Sequence, residues 1–310
     1  MSSPRVLSAA FACLVAACGP ANTGEKREPL LADAGTEPPP PDAGQVVESR
    51  LFLPAFHQAL RWSESMGTTT LRVRVPLGRA GERVRFTFRA GDGTLELRRA
   101  NVARAGAGCI PASDLVAISF GGNPGFSAGL RERVTSDPVA LPVTFREELL
   151  VTFVVEGAVA KSAIELFEGG CRGTGDQAES AGSFGEPQSA AIGLATVEVE
   201  AEPSRVVVAL GDSMTEGYVE GKDEYLESWP AVAEARLGLP VLNAGVSGQG
   251  VDGELEHVST EVLPLEGLTD CVVLLGTNDL GGTTVERIER NLDLLYDKLR
   301  PRCRVWAGTL

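Results

Sequence analysis

Three short polar clusters in the last third of the 310-residue chain carry residue types suited to acyl transfer. Gly211-Asp212-Ser213 offers a hydroxyl nucleophile, Asn243-Ala-Gly-Val-Ser-Gly248 a glycine whose N–H can approach a reacting atom with no Cβ in the way, and Gly276-Thr-Asn278-Asp279 a neutral carboxamide donor. When a serine attacks an ester carbonyl an oxyanion forms, and donors already aimed at that oxygen stabilise it. The candidates are the Ser213 N–H, the Gly248 N–H and the Asn278 side chain, helped by the dipole of a helix that follows Ser213. Asp212 and Asp279 are expected to hold their loops by local hydrogen bonds, and Thr215 and Glu216 to be helix-start residues without a chemical role. Residues 245–250 could be taken instead for a phosphate-binding loop, but they hold no Lys and lack the dinucleotide spacing.

Each cluster follows a short apolar run that suits a buried parallel strand: residues 205–210, 241–243 and 271–275. Helical signals lie between them. Ser228-Trp-Pro230 starts one helix, with Ser as cap and Pro in the first turn, and Gly238 ends it. Leu255, Val258 and Val262 mark a second, and Ile288, Leu292, Leu295 and Leu299 form one stripe of a third, opened by a Thr283/Glu286 capping box and stopped at Pro301. Residues 304–310 open a fourth strand. Strands alternating with helices give right-handed parallel crossovers, so residues 204–310 are expected to form a three-layer α/β, doubly wound, flavodoxin-like sheet. Sites in such sheets lie outside the carboxyl ends of the strands, where the three clusters converge.

Residues 51–200 follow a different period. Leu71-Arg-Val-Arg-Val75 and Val84-Arg-Phe-Thr-Phe88 alternate apolar with polar, and further strands are expected at 115–120, 138–143 and 149–155. Asp92-Gly93 reads as the turn of a hairpin. The expected fold is an antiparallel β-sandwich of roughly eight short strands. A sugar-binding module is the competing reading, but this stretch has one Trp, Trp62, and no Tyr to form an aromatic platform.

Ser213, Gly248 and Asn278, in that order on successive strands, resemble the SGNH/GDSL hydrolase family. The resemblance covers residues 204–310 and implies a serine esterase with Ser213 as nucleophile, Gly248 and Asn278 in the oxyanion hole, an acyl-enzyme intermediate and neither metal nor cofactor. Gly81-Glu-Arg-Val-Arg-Phe86 and Ser136-Asp-Pro-Val-Ala-Leu-Pro-Val143 also look like the β-rich domain that precedes this esterase domain in some secreted bacterial relatives. The family takes its general base from an Asp-x-x-His motif near the end of the domain, and this sequence contains none. Its two histidines are His57, placed before the sandwich, and His257, early in the second helix, where Glu254-Leu-Glu-His257 imitates the motif on the wrong element. A βαβ unit takes about 30 residues and five strands roughly 150, so the 107 residues from 204 to 310 are expected to stop inside the domain. The expected function is hydrolysis of O-acyl esters, with an acylated carbohydrate or small ester as substrate. The competing reading is a non-catalytic surface binding protein with a degenerate hydrolase domain.

The amino end carries an export pattern. Residues 1–18 hold one basic residue, Arg5, then an apolar stretch ending Leu14-Val15-Ala16-Ala17-Cys18, which resembles a bacterial lipobox with Cys18 as the lipid-bearing residue. An ordinary signal peptide with an incidental Cys is the alternative. Residues 19–50 include Glu37-Pro-Pro-Pro-Pro-Asp42 and read as a semi-rigid tether. The expected location is the bacterial cell envelope, with the lipid as membrane partner. Cys109, Cys171, Cys271 and Cys303 then suit two disulfides in an oxidising compartment. Cys271 and Cys303 each precede one of two neighbouring strands in the expected sheet order, which leaves Cys109 to pair with Cys171. No Cys-x-x-Cys or His pair suggests a metal. The formal charge is −14, and residues 201–310 carry 9 basic and 19 acidic side chains against 15 and 17 in residues 51–200. Such a surface repels phosphate backbones, so nucleic acid is excluded as an expected partner.

Overall fold

The computed structural model describes residues 50–308 apart from 220, 221 and 224. Cys18 and all but the last residue of the expected tether lie outside the described residues. The amino-terminal part is β-rich: β1 Leu51–His57, β2 Trp62–Pro76, β3 Gly81–Arg104, β4 Val116–Ile118, β5 Phe126–Ala128, β6 Arg133–Thr135, β7 Val139–Val143, β8 Glu148–Thr174, β9 Glu186–Ile192 and β10 Leu194–Ala201. All ten pair antiparallel in one connected sheet whose spine runs β1-β10-β3-β8-β2. The expectation of eight short strands is corrected here. β3 and β8 are 24 and 27 residues long, and each serves several partners along its length.

The expected hairpin at Asp92-Gly93 is absent for the same reason. β3 runs through it, with its register against β8 slipping between Ala90 and Leu95. The early part of β3 pairs with β10, β6 and β7, and the later part with β4, β5 and β8. Asp92-Gly93 is therefore a bulge that redirects one strand, since an extra residue strengthens local twist and bends the sheet. The alternating residues do face a common core: Phe86, Phe88 and Phe153 are fully buried together with Leu71, Leu97 and Val151.

The α/β part follows: β11 Val207–Gly211, α1 Ser213–Glu216, β12 Tyr218–Val219, β13 Lys222–Asp223, α2 Trp229–Leu237, β14 Val241–Gly245, α3 Val251–Glu261, β15 Asp270–Leu274, α4 Val285–Leu299 and β16 Arg304–Ala307. β14-β11-β15-β16 form a parallel sheet in the expected order. Its strands are apolar because helices cover both faces. Leu295 and Leu299 of α4 are buried, with Ile288 and Leu292 packed on the same core. The capping residue of α4 is Thr284 rather than Thr283, and its side chain accepts from the Arg287 N–H. Ser228 stands at the start of α2 but does not cap it, its hydroxyl donating to the Tyr225 carbonyl at 2.6 Å.

Both expected disulfides are present. Cys109 pairs with Cys171 and Cys271 with Cys303, at Cα separations of 5.9 and 5.8 Å. Two such bonds point to an oxidising, extracytoplasmic setting. His57 is part of the sheet, as the last residue of β1, rather than preceding it. The strand's direction carries the chain to the α/β part, where Gln58 bridges to Asn243 in parallel fashion and the Ala59 N–H donates to the Asn243 carbonyl.

Candidate active site

β11, β14 and β15 are adjacent and in register, with Gly211 opposite both Gly245 and Leu274 at their carboxyl ends. Ser213 lies two residues past the end of β11, Gly248 three past β14 and Asn278 four past β15. The sheet thus delivers the three expected residues to one end of three neighbouring strands.

Ser213 opens α1, which is a single turn of four residues. That corrects the expected dipole contribution, because the macrodipole needs several aligned peptides. What the turn supplies is backbone N–H groups. Asp212, buried, accepts from the Met214 N–H at 3.0 Å and so holds the turn as expected. The Ser213 and Gly248 N–H groups have no protein acceptor among the described residues.

Gly248 occupies the third position of a turn closed by the Gln249 N–H on the Val246 carbonyl at 3.0 Å, with φ of 77°. This left-handed conformation, more than any crowding, demands glycine, because a Cβ added there would meet nothing within 4 Å. Gly245 answers to space instead: its added Cβ would lie 2.3 Å from the Glu216 nitrogen, so α1 packs directly on the end of β14. The Asn278 side chain donates to the Gln249 carbonyl at 3.0 Å, tying the third loop to the second. A carboxamide has two N–H bonds, so one remains for an oxyanion. Asp279 reaches across as well, its carboxylate accepting from the Val251 N–H at 3.0 Å at the start of α3.

Two residues given no chemical role in the sequence organise the site. Glu216 is completely buried; its carboxylate accepts from the Ala163 N–H of β8 at 3.1 Å and from the Ser247 N–H. Asn243, also fully buried, donates to the Thr215 and Glu216 carbonyls at 2.9 and 3.0 Å and accepts from the Gly245 N–H. It satisfies the last carbonyls of α1, which a one-turn helix leaves without partners. Neither residue has a local pattern that announces burial. The only cue for Glu216 was its place between two glycine-containing strand ends.

Neither histidine stands on the three loops. His57 is fully buried with Nδ1 on the Thr196 hydroxyl at 3.0 Å, and burial, aided by Arg133, holds its pKa well below the usual histidine value. His257 lies in α3, where partial burial and the charge of Arg61 also lower its pKa.

Residues 209–310 match the family described as GDSL-like Lipase/Acylhydrolase. No curated protein matches the chain. Among solved structures, a G-D-S-L family protein from Desulfitobacterium hafniense DCB-2 is 25% identical over 33% of this chain and 57% of its own, with a TM-score of 0.29. The SGNH-hydrolase family esterase AlinE4 is 30% identical over 34% of this chain and 58% of its own, with a TM-score of 0.29. A family two carbohydrate esterase from Cellvibrio japonicus is 14% identical over 84% of this chain and 78% of its own, with a TM-score of 0.30. The chain spans less than two thirds of the length of the first two.

Proposed function

Since the C-terminal part of the chain, residues 209–310, belongs to the GDSL/SGNH hydrolase family, we propose that the protein hydrolyses O-acyl esters through an acyl-enzyme on Ser213. The observation that carries this reading is the pair of backbone donors, Ser213 N–H and Gly248 N–H, at the ends of adjacent parallel strands and without a protein acceptor among the described residues, with the Asn278 amide tied to the Gly248 loop. The Ser213 hydroxyl attacks the ester carbonyl, the C–O π bond opens to an oxyanion, and the three donors receive that charge. Collapse expels the alcohol, and water then releases the acid from Ser213. Each oxyanion donor in such a site is worth about 10²–10³ in turnover. Proton removal from Ser213 falls to an imidazole of the family's Asp-x-x-His kind, which residues 1–310 do not contain.

The narrower reading is an acetyl ester on an uncharged carbohydrate, favoured over a polyanionic one by the excess of acidic side chains in residues 201–310. The disulfides support an exported protein, and a lipid on Cys18 would hold it at the envelope.

p-Nitrophenyl acetate turnover tests the reading. A form of the protein in which this domain is accompanied by an Asp-x-x-His motif is expected to exceed its own Ser213→Ala variant by several orders of magnitude. Residues 19–310 alone are expected to match theirs, because losing the base of a serine hydrolase costs on the order of a million-fold. Equal rates for that form and its Ser213→Ala variant would overturn the esterase assignment.

A further inference from the structure

The turn bearing Gly248 is gripped on both sides from the β-rich part of the chain. On one side the Ala163 N–H of β8 and the Ser247 N–H share the buried Glu216 carboxylate. On the other, Arg61, between β1 and β2, donates from Nη1 to the Gln249 side-chain oxygen at 3.3 Å. Gly248 sits between these two anchored residues. The same guanidinium donates from Nη2 to Glu254 at 3.2 Å and from Nε to Glu261, both fully buried on α3. Arg89 of β3 also pairs with Glu261. Arg61 therefore fixes α3 at two points and the residue that leads into it at a third.

We infer that Arg61 is a positioning residue for the oxyanion loop, so that the β-rich part sets the direction of the Gly248 N–H through the Arg61–Gln249 bond. A planar fork with five donors can serve three acceptors at once, and a lysine ammonium on the same stem cannot match that geometry. The bond is charge-assisted, on a part-buried arginine, and such bonds contribute more than neutral ones. Burial also keeps the alternative costly: without Arg61, Glu254 and Glu261 would face the interior with fewer partners, and burial already pushes Glu254 up to about 7. The catalytic consequence rests on the proposed acyl-transfer role of Gly248; the structural consequence does not.

Two readouts separate these. Amide hydrogen exchange at Ser247 and Gln249 follows the loop alone. Gln249→Ala removes the acceptor while leaving every Arg61–glutamate pair in place, and Arg61→Lys keeps the charge while breaking the fork. Both variants are expected to exchange these two amides about ten-fold faster than the unaltered protein, with amides of β11 and β15 unchanged, and the double variant is expected to add nothing beyond either single one. In a form that carries an Asp-x-x-His motif, kcat for p-nitrophenyl acetate is expected to fall about ten-fold in both variants with KM within two-fold. Unchanged exchange at Ser247 and Gln249 in Gln249→Ala, or fully additive effects in the double variant, would overturn the positioning role. Faster exchange with kcat intact would overturn its catalytic consequence. Hydrolysis that is equal in the unaltered and Ser213→Ala proteins would refute the esterase reading and leave the exchange result to decide the positioning.

Discussion

Replacing Glu216 by Gln is a sharp probe of how the site is built. The wild-type carboxylate is completely buried and accepts from two backbone N–H groups that belong to different parts of the chain, Ala163 and Ser247. A carboxamide has one oxygen, so Gln can satisfy one of the two, and its own NH₂ then faces the other donor. Leaving a buried donor unsatisfied costs about 1–3 kcal/mol. At about 2–4 °C per kcal/mol for domains of 150–250 residues, Tm should fall by roughly 2–12 °C. Glu216→Ala abandons both donors and leaves a cavity, so its loss should be larger. Glu256→Gln on the exposed side of α3 serves as the control, with an expected change within about 0.5 kcal/mol. Thermal unfolding followed by circular dichroism measures all three. A Glu216→Gln protein as stable as the control would refute the claim that this carboxylate joins the two segments.

Glu234 of α2 provides a pH signature. It is buried, and burial pushes its pKa up to about 7 from 4.5 while the Val241 N–H and Arg146 act in the opposite direction. The folded state holds this proton where the unfolded chain has lost it, so the stabilisation is full below pH 4.5 and disappears as pH rises through 7. Glu234→Gln keeps an acceptor for Val241 and is expected to match wild type in urea unfolding at pH 4.5 but exceed it at pH 8 by up to roughly 3 kcal/mol; identical pH dependence of the two proteins would count against the shift. Cys18→Ala is expected to move the protein from the membrane fraction to the soluble one after cell fractionation, and unchanged membrane association would remove the lipid from the proposal.

The parallel sheet was legible because its strands are buried on both sides and read as short apolar runs, each closed by a polar cluster. β11, β14 and β15 therefore fell where the sequence put them, and the disulfide between Cys271 and Cys303 followed from their order. The β-rich part was legible in period but not in length. Asp92-Gly93 in β3 and Gly157 in β8, with φ of 99°, look like strand ends, yet both are bulges within continuous strands. Polar residues on buried faces were the least accessible. Glu254 and Glu261 share a face of α3 with Val251 and Val258, and all four are fully buried. Periodicity assigns such glutamates to solvent, and only distant partners reverse the assignment: Arg61 for both, 200 residues from Glu261, and Arg89 for Glu261.

The route of the first strand also dictates when the molecule can finish folding. β1 has its sheet partner in β10, with His57 bonded to Thr196 across 139 residues, and the Gln58 side chain reaches toward the Gly245 carbonyl across 187. Chains dominated by such distant pairings fold in milliseconds to seconds rather than microseconds. A chain that emerges amino end first would present β1 long before β10 arrives, with its backbone N–H and C=O groups unpaired and open to other strands. This early-made strand is then among the last to be locked, and its closure brings the Gly248 turn under the grip of Arg61.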